Sequence, residues 1–118
     1  MSRSDVRRGQ IWLVDWSPGR GSEQLGTRPA LVIQTDAANA NARYPNTIVL
    51  TLRTKGLPVA THVEVAPDAR NGLRETSWVK CEQILTISKD RLMTLWGSLS
   101  TRDLDRVEQA VKTVLAPA

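Results

Sequence analysis

The segment from Ser17 to Pro29 gathers the groups best suited to handling an anion. It holds Gly19, Gly21 and Gly26, a polar trio Ser22-Glu23-Gln24, and two arginines, Arg20 and Arg28. Glycines let a backbone come close to a ligand. Arg28 stands directly before Pro29, a position biased toward extended geometry. A continuous apolar run follows, so the Arg28 backbone is held at the mouth of a rigid strand and its side chain can be aimed. Residue types alone are met as well by a surface loop with solvated arginines.

Other chemistries fall by elimination. There is no Gly-x-Ser-x-Gly elbow and no Walker A loop. Nucleophilic catalysis through histidine would need His62, the one His of the chain. It lies inside an alternating segment, where a surface or hydrogen-bonded structural role is expected. Cys81 sits in an apolar stretch and reads as a buried core residue. A lone Cys and a lone His exclude an internal disulfide and Cys- or His-rich metal sites. The twelve acids are scattered along the chain, and nothing marks a catalytic pair. No metal and no cofactor are expected.

The elements that must position these groups read as short strands followed by one helix. Gln10–Trp16 is a β-branched and aromatic strand, stopped by Ser17-Pro18-Gly19. Pro29–Thr35 holds a continuous apolar run and suits a strand covered on both faces. Asp36–Pro45 is a polar connection, Thr47–Leu52 a third strand, and Thr61–Val65 alternates as a strand with one wet face. Asn71-Gly72 marks a turn. Trp78–Cys81 and Gln83–Ile87 give one or two strands, Ser88 caps a short helical turn through Arg91, and Leu92–Trp96 is a further strand. Ser100 is an N-cap with Asp103 close to a capping-box position. Leu104, Val107, Ala110, Val111, Val114 and Leu115 then form one apolar helical face. The expected class is mainly β (α+β): a small, partly open barrel of about six or seven strands sealed by a C-terminal helix, in one domain over residues 1–118.

Charge is uneven. The 118 residues carry 16 Lys+Arg against 12 Asp+Glu, net +4. Residues 1–60 hold 8 basic and 4 acidic side chains, and residues 61–118 hold 8 of each. Twelve of the bases are Arg, whose planar fork suits phosphate and base stacking. A polyanion partner and an arginine-rich codon bias account for this equally well. No apolar run approaches the ~20 residues of a membrane span. The N-terminus lacks the apolar core of a signal peptide. A soluble cytoplasmic domain is expected.

Several blocks resemble the MazF/PemK family of toxin endoribonucleases. They are Arg8-Gly9-Gln10-Ile11-Trp12, Asp15-Trp16-Ser17-Pro18, Gly21-Ser22-Glu23-Gln24, Gly26-Thr27-Arg28-Pro29 and Leu31-Val32-Ile33-Gln34. Shorter matches follow at Asn46–Val49, Thr61–Glu64, Glu82-Gln83-Ile84 and Ser88–Leu92. The resemblance implies an SH3-like barrel with a C-terminal helix, a homodimer, and metal-independent, sequence-specific cleavage of single-stranded RNA. It also implies neutralisation by an antitoxin with an acidic segment. Arg28 matches the family's arginine, which acts on the 2′-hydroxyl and the phosphate. A guanidinium is a poor base, with a pKa above about 12, so the phosphate role is the firmer one. The family's second catalytic residue is a threonine at the end of the third strand. Thr54 is chosen for it after a one-residue shift; a gap-free match puts Arg53 there, and Thr51 is the fallback. Ser22, Gln24 and Gln83 are carried over as base or backbone contacts. Glu23 either orients Arg28 or is solvated, and Arg20 and Arg53 belong to the RNA-facing segment. Trp12, Trp16, Trp78 and Trp96 could stack bases, but without any Phe they are expected to serve as large core pieces. Two further readings stay open: a toxin of this fold that acts on DNA gyrase, and a degenerate member that binds RNA without cutting it.

Overall fold

The computed structural model describes residues 5–17 and 26–116. Six strands form one antiparallel sheet: β1 (Gln10–Asp15), β2 (Thr27–Val32), β3 (Asn46–Arg53), β4 (His62–Val65), β5 (Ser77–Ser88) and β6 (Leu92–Ser98). Their order across the sheet is β4-β5-β3-β2-β1-β6. β4 and β6 are the two edges, so the described strands bend without closing a hydrogen-bonded ring. A short helix α1 (Asp36–Asn39) precedes β3, a 3₁₀ turn (Lys89–Arg91) joins β5 to β6, and α2 (Thr101–Leu115) follows.

The central strands are apolar on both sides because both sides are covered. Leu31 and Leu50 belong to one buried cluster with Ile11, Val79 and Cys81, against which Val107 and Ala110 of α2 pack. Ala30, Val32 and Val49 belong to a second, with Trp12, Val14 and Leu92. Helix α2 seals the first cluster with the predicted face, except that Leu115 at its end is exposed. It is the last residue of the helix. Ser100 caps α2 by accepting from the Asp103 N–H at 3.1 Å. Asp103 itself turns to Arg106 at 2.9 Å instead of completing a capping box.

The Asp36–Pro45 connection is more ordered than its composition suggests. Buried Asn39 donates to the Gln34 carbonyl and accepts from Gln34 and Thr47 side chains. Lys89 is buried, and its ammonium donates to the carbonyls of Ala38, Asn39 and Asn41. These contacts come from distant positions, so local pattern does not reveal them.

Two irregularities shape the molecule's working end. β2 pairs with β1 as far as Asp15–Thr27, and β3 pairs with β5 as far as Arg53–Trp78. Between β2 and β3, however, the ladder ends at Ala30–Thr51. Pro29 has no N–H to donate there. The strands part beyond that point and form a fork. The second irregularity lies between Leu50 and Thr51, which pair with Ile84 and Lys80 respectively. Cys81, Glu82 and Gln83 therefore bulge out of the β5 ladder. Trp78–Cys81 and Gln83–Ile87, expected as one or two strands, are one strand with this bulge in its middle.

Candidate functional site

The fork opens into two cavities. The larger, about 560 Å³, is walled by Arg28, Arg53, Thr54, Arg74, Glu75 and Trp96. The smaller, about 220 Å³, is walled by Trp16, Arg28, Thr51, Arg53, Gln83 and Leu85. Arg28-Pro29 and Leu52-Arg53 border both. These are the residues on the two prongs of the fork, and extending the β2–β3 register places Arg28 opposite Arg53.

Arg28 is half-buried and Arg53 exposed. Among the described residues, no ion pair engages Arg28, Arg53 or Arg74. Three guanidinium groups thus share the larger cavity with one carboxylate, Glu75. Like charges held on facing strands repel one another, and an anion between them relieves that repulsion. The Arg28 backbone is fixed from the side: the Trp16 indole N–H donates to its carbonyl at 3.2 Å. The Trp16 backbone N–H donates to the Gly26 carbonyl at 3.0 Å. Arg91 donates to the Asp15 and Ser17 carbonyls at 2.9 and 2.6 Å and steadies the end of β1. Asp15 accepts from the Ser17 hydroxyl at 2.7 Å and the Ser17 N–H at 3.0 Å. These two bonds hold its carboxyl below the ordinary carboxylate range.

Of the residues expected at the site, Arg28, Arg53 and Thr54 meet at the larger cavity, and Arg28, Arg53 and Gln83 at the smaller. Thr51 lies on the smaller one, where its hydroxyl donates to the Gln83 side-chain oxygen. Arg20, Ser22, Glu23 and Gln24 lie outside the described residues. Arg74, Glu75, Trp96 and Leu85 also wall the cavities and carried no motif. The only local signal for Arg74 and Glu75 is the preceding Asn71-Gly72 turn. In that turn Asp68 accepts from the Arg70 and Asn71 N–H groups, and buried Asn71 accepts from the Asp68 and Leu73 N–H groups. Gly72 has φ +71°, and a Cβ there would lie 2.2 Å from the Trp96 carbonyl oxygen. The turn is clamped onto β6 and carries Arg74 and Glu75 to the cavity.

His62 is structural, as its alternating context suggests. Its Nδ1 accepts from the Leu57 N–H at 3.0 Å, which leaves the ring proton on Nε2, 3.0 Å from a Glu82 oxygen. This fastens the loop that follows Thr54. Burial pushes the Glu82 carboxyl up, but the hydrogen bonds from His62 and from its own backbone N–H, with the charge of Lys80, outweigh it and hold the group low. Of the four tryptophans, Trp12 is a fully buried core piece and the others are half-buried.

Cys81 is fully buried, and burial, helped by the Glu82 charge, raises its thiol to about 11. The thiolate is the reactive form. A thiol reagent at about pH 8 is therefore expected to leave the native chain unmodified and to label it at once after denaturation. Rapid labelling of the folded protein would contradict this.

Among the described residues no group of three or more His, Cys, Asp or Glu is placed to hold a metal ion. Among the same residues no helix is long and apolar enough to cross a membrane.

Comparison with known proteins fits this geometry. Endoribonuclease EndoA of Bacillus subtilis (strain 168) is 38% identical over 112 residues, covering 94% of this chain and 95% of its own length. Endoribonuclease MazF of Staphylococcus epidermidis is 36% identical over 109 residues, covering 90% and 88%. Among solved structures, an endoribonuclease from a mycobacterial species in complex with its cognate antitoxin superimposes with a TM-score of 0.79. Its identity is 24%, and 96% of this chain and 98% of that one are covered. A MazE–MazF complex from Deinococcus radiodurans gives 0.76 at 18% identity, covering 96% and 97%. At such identities these structures bear on the fold, and the fold agrees over nearly the whole chain. The description "PemK-like, MazF-like toxin of type II toxin-antitoxin system" fits residues 7–115. With that span and those relatives, the chain belongs to the PemK/MazF family of toxins.

Proposed function

We propose that this protein is the toxin of a type II toxin–antitoxin module, a metal-independent, sequence-specific endoribonuclease that cleaves single-stranded RNA and so stops translation. The observation that carries the reading is Arg28 in the fork, its backbone tied by Trp16, with Arg53 across from it and no carboxylate pairing either among the described residues.

RNA brings its own nucleophile. The 2′-oxygen attacks the adjacent phosphorus, the P–O2′ bond forms and the P–O5′ bond breaks. The proton leaves the 2′-hydroxyl and one is delivered to the departing 5′-oxygen. The products are a 2′,3′-cyclic phosphate and a 5′-hydroxyl. The protein must hold the oxygen in line with phosphorus and offset the charge on the phosphorane. Arg28 is assigned to the phosphorane oxygens, where its fork can donate two parallel bonds. Thr54 is assigned as a hydroxyl donor to the same phosphate from the far wall of the larger cavity, with Arg53 adding positive charge. Ser22, Glu23, Gln24 and Arg20 belong to the connection leading into Arg28 and are assigned to the RNA. A homodimer in the cytoplasm, held inactive by an antitoxin with an acidic segment, completes the proposal. The mycobacterial and Deinococcus relatives named above were solved with antitoxins, which supports that partner.

The test is incubation of the purified chain with a long single-stranded RNA in EDTA. Discrete fragments with 5′-hydroxyl ends are expected. Intact RNA, whether bound or not, would overturn the nuclease reading. Intact RNA with binding that falls with salt at a log-log slope of about −0.7 per phosphate would point to an RNA-binding member instead. DNA breaks linked to gyrase would point to the other toxin class.

A further inference from the structure

Trp16 carries the tether to Arg28, yet it lies one residue beyond the end of β1. Its backbone N–H points toward β2 and donates to the Gly26 carbonyl at 3.0 Å. Neighbouring residues of an extended chain turn their backbone groups to opposite sides. The carbonyls of Asp15 and Ser17, which flank Trp16, therefore point away from β2, toward β6. There the ladder has already stopped. Its last pair is Val14–Leu92, and just before Leu92 the chain leaves the sheet in the 3₁₀ turn.

The Arg91 side chain stands in for the missing rung. One guanidinium nitrogen donates to both carbonyls, at 2.9 Å to Asp15 and 2.6 Å to Ser17. Trp16 is thus gripped on both sides of its Cα, and this fixes the backbone from which the indole reaches the Arg28 carbonyl. Arg91 can serve as an anchor because its own base is fixed. Buried Lys89 donates its ammonium to three carbonyls at the end of α1 and its N–H to the Pro45 carbonyl at 2.8 Å. Ser88 accepts from the Asp90 N–H at 3.2 Å. Arg91 is half-buried, and it is not among the described residues that wall either cavity of the fork. It stands behind the site.

Resting on the endoribonuclease reading above, we infer that Arg91 is a positioning residue: by gripping the two carbonyls that flank Trp16 it holds the indole on the Arg28 carbonyl, and so places the Arg28 guanidinium without meeting the RNA. Removing the grip strands two carbonyls, and the segment rotates to find them new donors. That rotation swings the indole and frees the Arg28 backbone. The turn between β5 and β6 is then coupled to the chemistry although it borders none of it.

The experiment is single-turnover cleavage of one single-stranded RNA by the full chain, run as a double-mutant cycle between Arg91 and Arg28. Arg91→Met keeps an unbranched stem and removes the donors. It should lower the rate at saturating protein by about 10- to 100-fold, since a shift on the order of 1 Å caused far from the chemistry can cost that much. The protein concentration giving half that rate should stay within about twofold, because ground-state binding is untouched. Placed in Arg28→Ala, the same change should cost no more than about twofold, because the group it positions is gone. Arg91→Lys should recover most of the rate, since a single nitrogen makes both bonds here and an ammonium has three donors. A purely structural role would not give this pattern. Its cost would be the same in both backgrounds and would follow the melting temperature. Should Arg91→Met melt below the assay temperature, Arg91→Gln, which retains an amide donor, replaces it in the cycle. Equal losses in the wild-type and Arg28→Ala backgrounds, or an unchanged rate in a folded Arg91 variant, overturn the positioning role and leave the nuclease reading intact. Failure of the wild type to cut the RNA overturns that reading itself.

Discussion

Replacing Arg28 by alanine is expected to slow RNA cleavage by about 10²–10³-fold, the loss typical when one donor to a developing oxyanion is removed. Two features make Arg28 the position of largest effect. It borders both cavities, so it meets a ligand however the chain runs through the fork. Its backbone is tied at 3.2 Å by Trp16 and paired with Val14 of β1, so the guanidinium works from a fixed base. Both supports are backbone interactions and survive the substitution. Thermal unfolding should therefore move by no more than a few degrees. Arg28→Lys keeps the charge but gives up the planar fork, and it is expected to recover little of the lost rate. Single-turnover cleavage beside a circular-dichroism melt checks both points. Full activity in a folded Arg28→Ala protein would remove Arg28 from the chemistry.

Gly97→Ala is expected to carry a large cost to stability through packing alone. A Cβ at Gly97 would lie 2.0 Å from the Arg70 carbonyl oxygen and 2.7 Å from the Asn71 carbonyl carbon. Both are backbone atoms of a turn held by several hydrogen bonds, one of them from the Ser98 N–H to that same Arg70 oxygen at 2.9 Å. They cannot rotate away as a side-chain tip would. Overpacking costs typically 1–3 kcal/mol, and with unyielding backbone on one side about 3 kcal/mol is expected. For a domain of this size that lowers the melting temperature by roughly 10 °C. Gly26→Ala is the contrasting case. Gly26 has φ +50° but open space where the Cβ would go. Its cost is the left-handed backbone alone, about 1 kcal/mol. Equal melting temperatures for the two variants would contradict the packing account. Because the clamped turn carries Arg74 and Glu75, Gly97→Ala should also weaken RNA binding at temperatures where it remains folded.

The parts of the molecule legible in the sequence were those set by local pattern. Ser100, the 3–4 residue spacing after it, and the apolar run at Leu31–Ile33 predict a capped helix and a doubly covered strand, and both are present. Arg28 stood out because Pro29 and the glycines around it constrain the backbone on the page. Contacts formed across the fold were not legible. Nothing near Thr51 announces Gln83, because the pairing depends on three residues bulging from a distant strand. Lys89 reads as an ordinary basic residue until the α1 carbonyls that surround it are in place. Arg74 and Trp96 reach the larger cavity only because the 68–73 turn locks onto β6. The match of Arg53 or Thr54 to the family's threonine is ambiguous for a related reason: both sit where β3 leaves the ladder, and a one-residue shift moves a side chain to the other face.

Pro29 has a thermodynamic role beyond shaping the fork. Had β2 and β3 zipped to their ends, admitting a polynucleotide would mean breaking main-chain hydrogen bonds at every encounter, and affinity would fall by that amount. Because the proline leaves no donor to pair, the separation belongs to the folded ground state. Its free-energy cost was met once, when the chain folded, against a surplus drawn from two covered faces of the sheet. Binding then starts from an open cleft, and more of the contact energy remains for holding the reacting atoms in line.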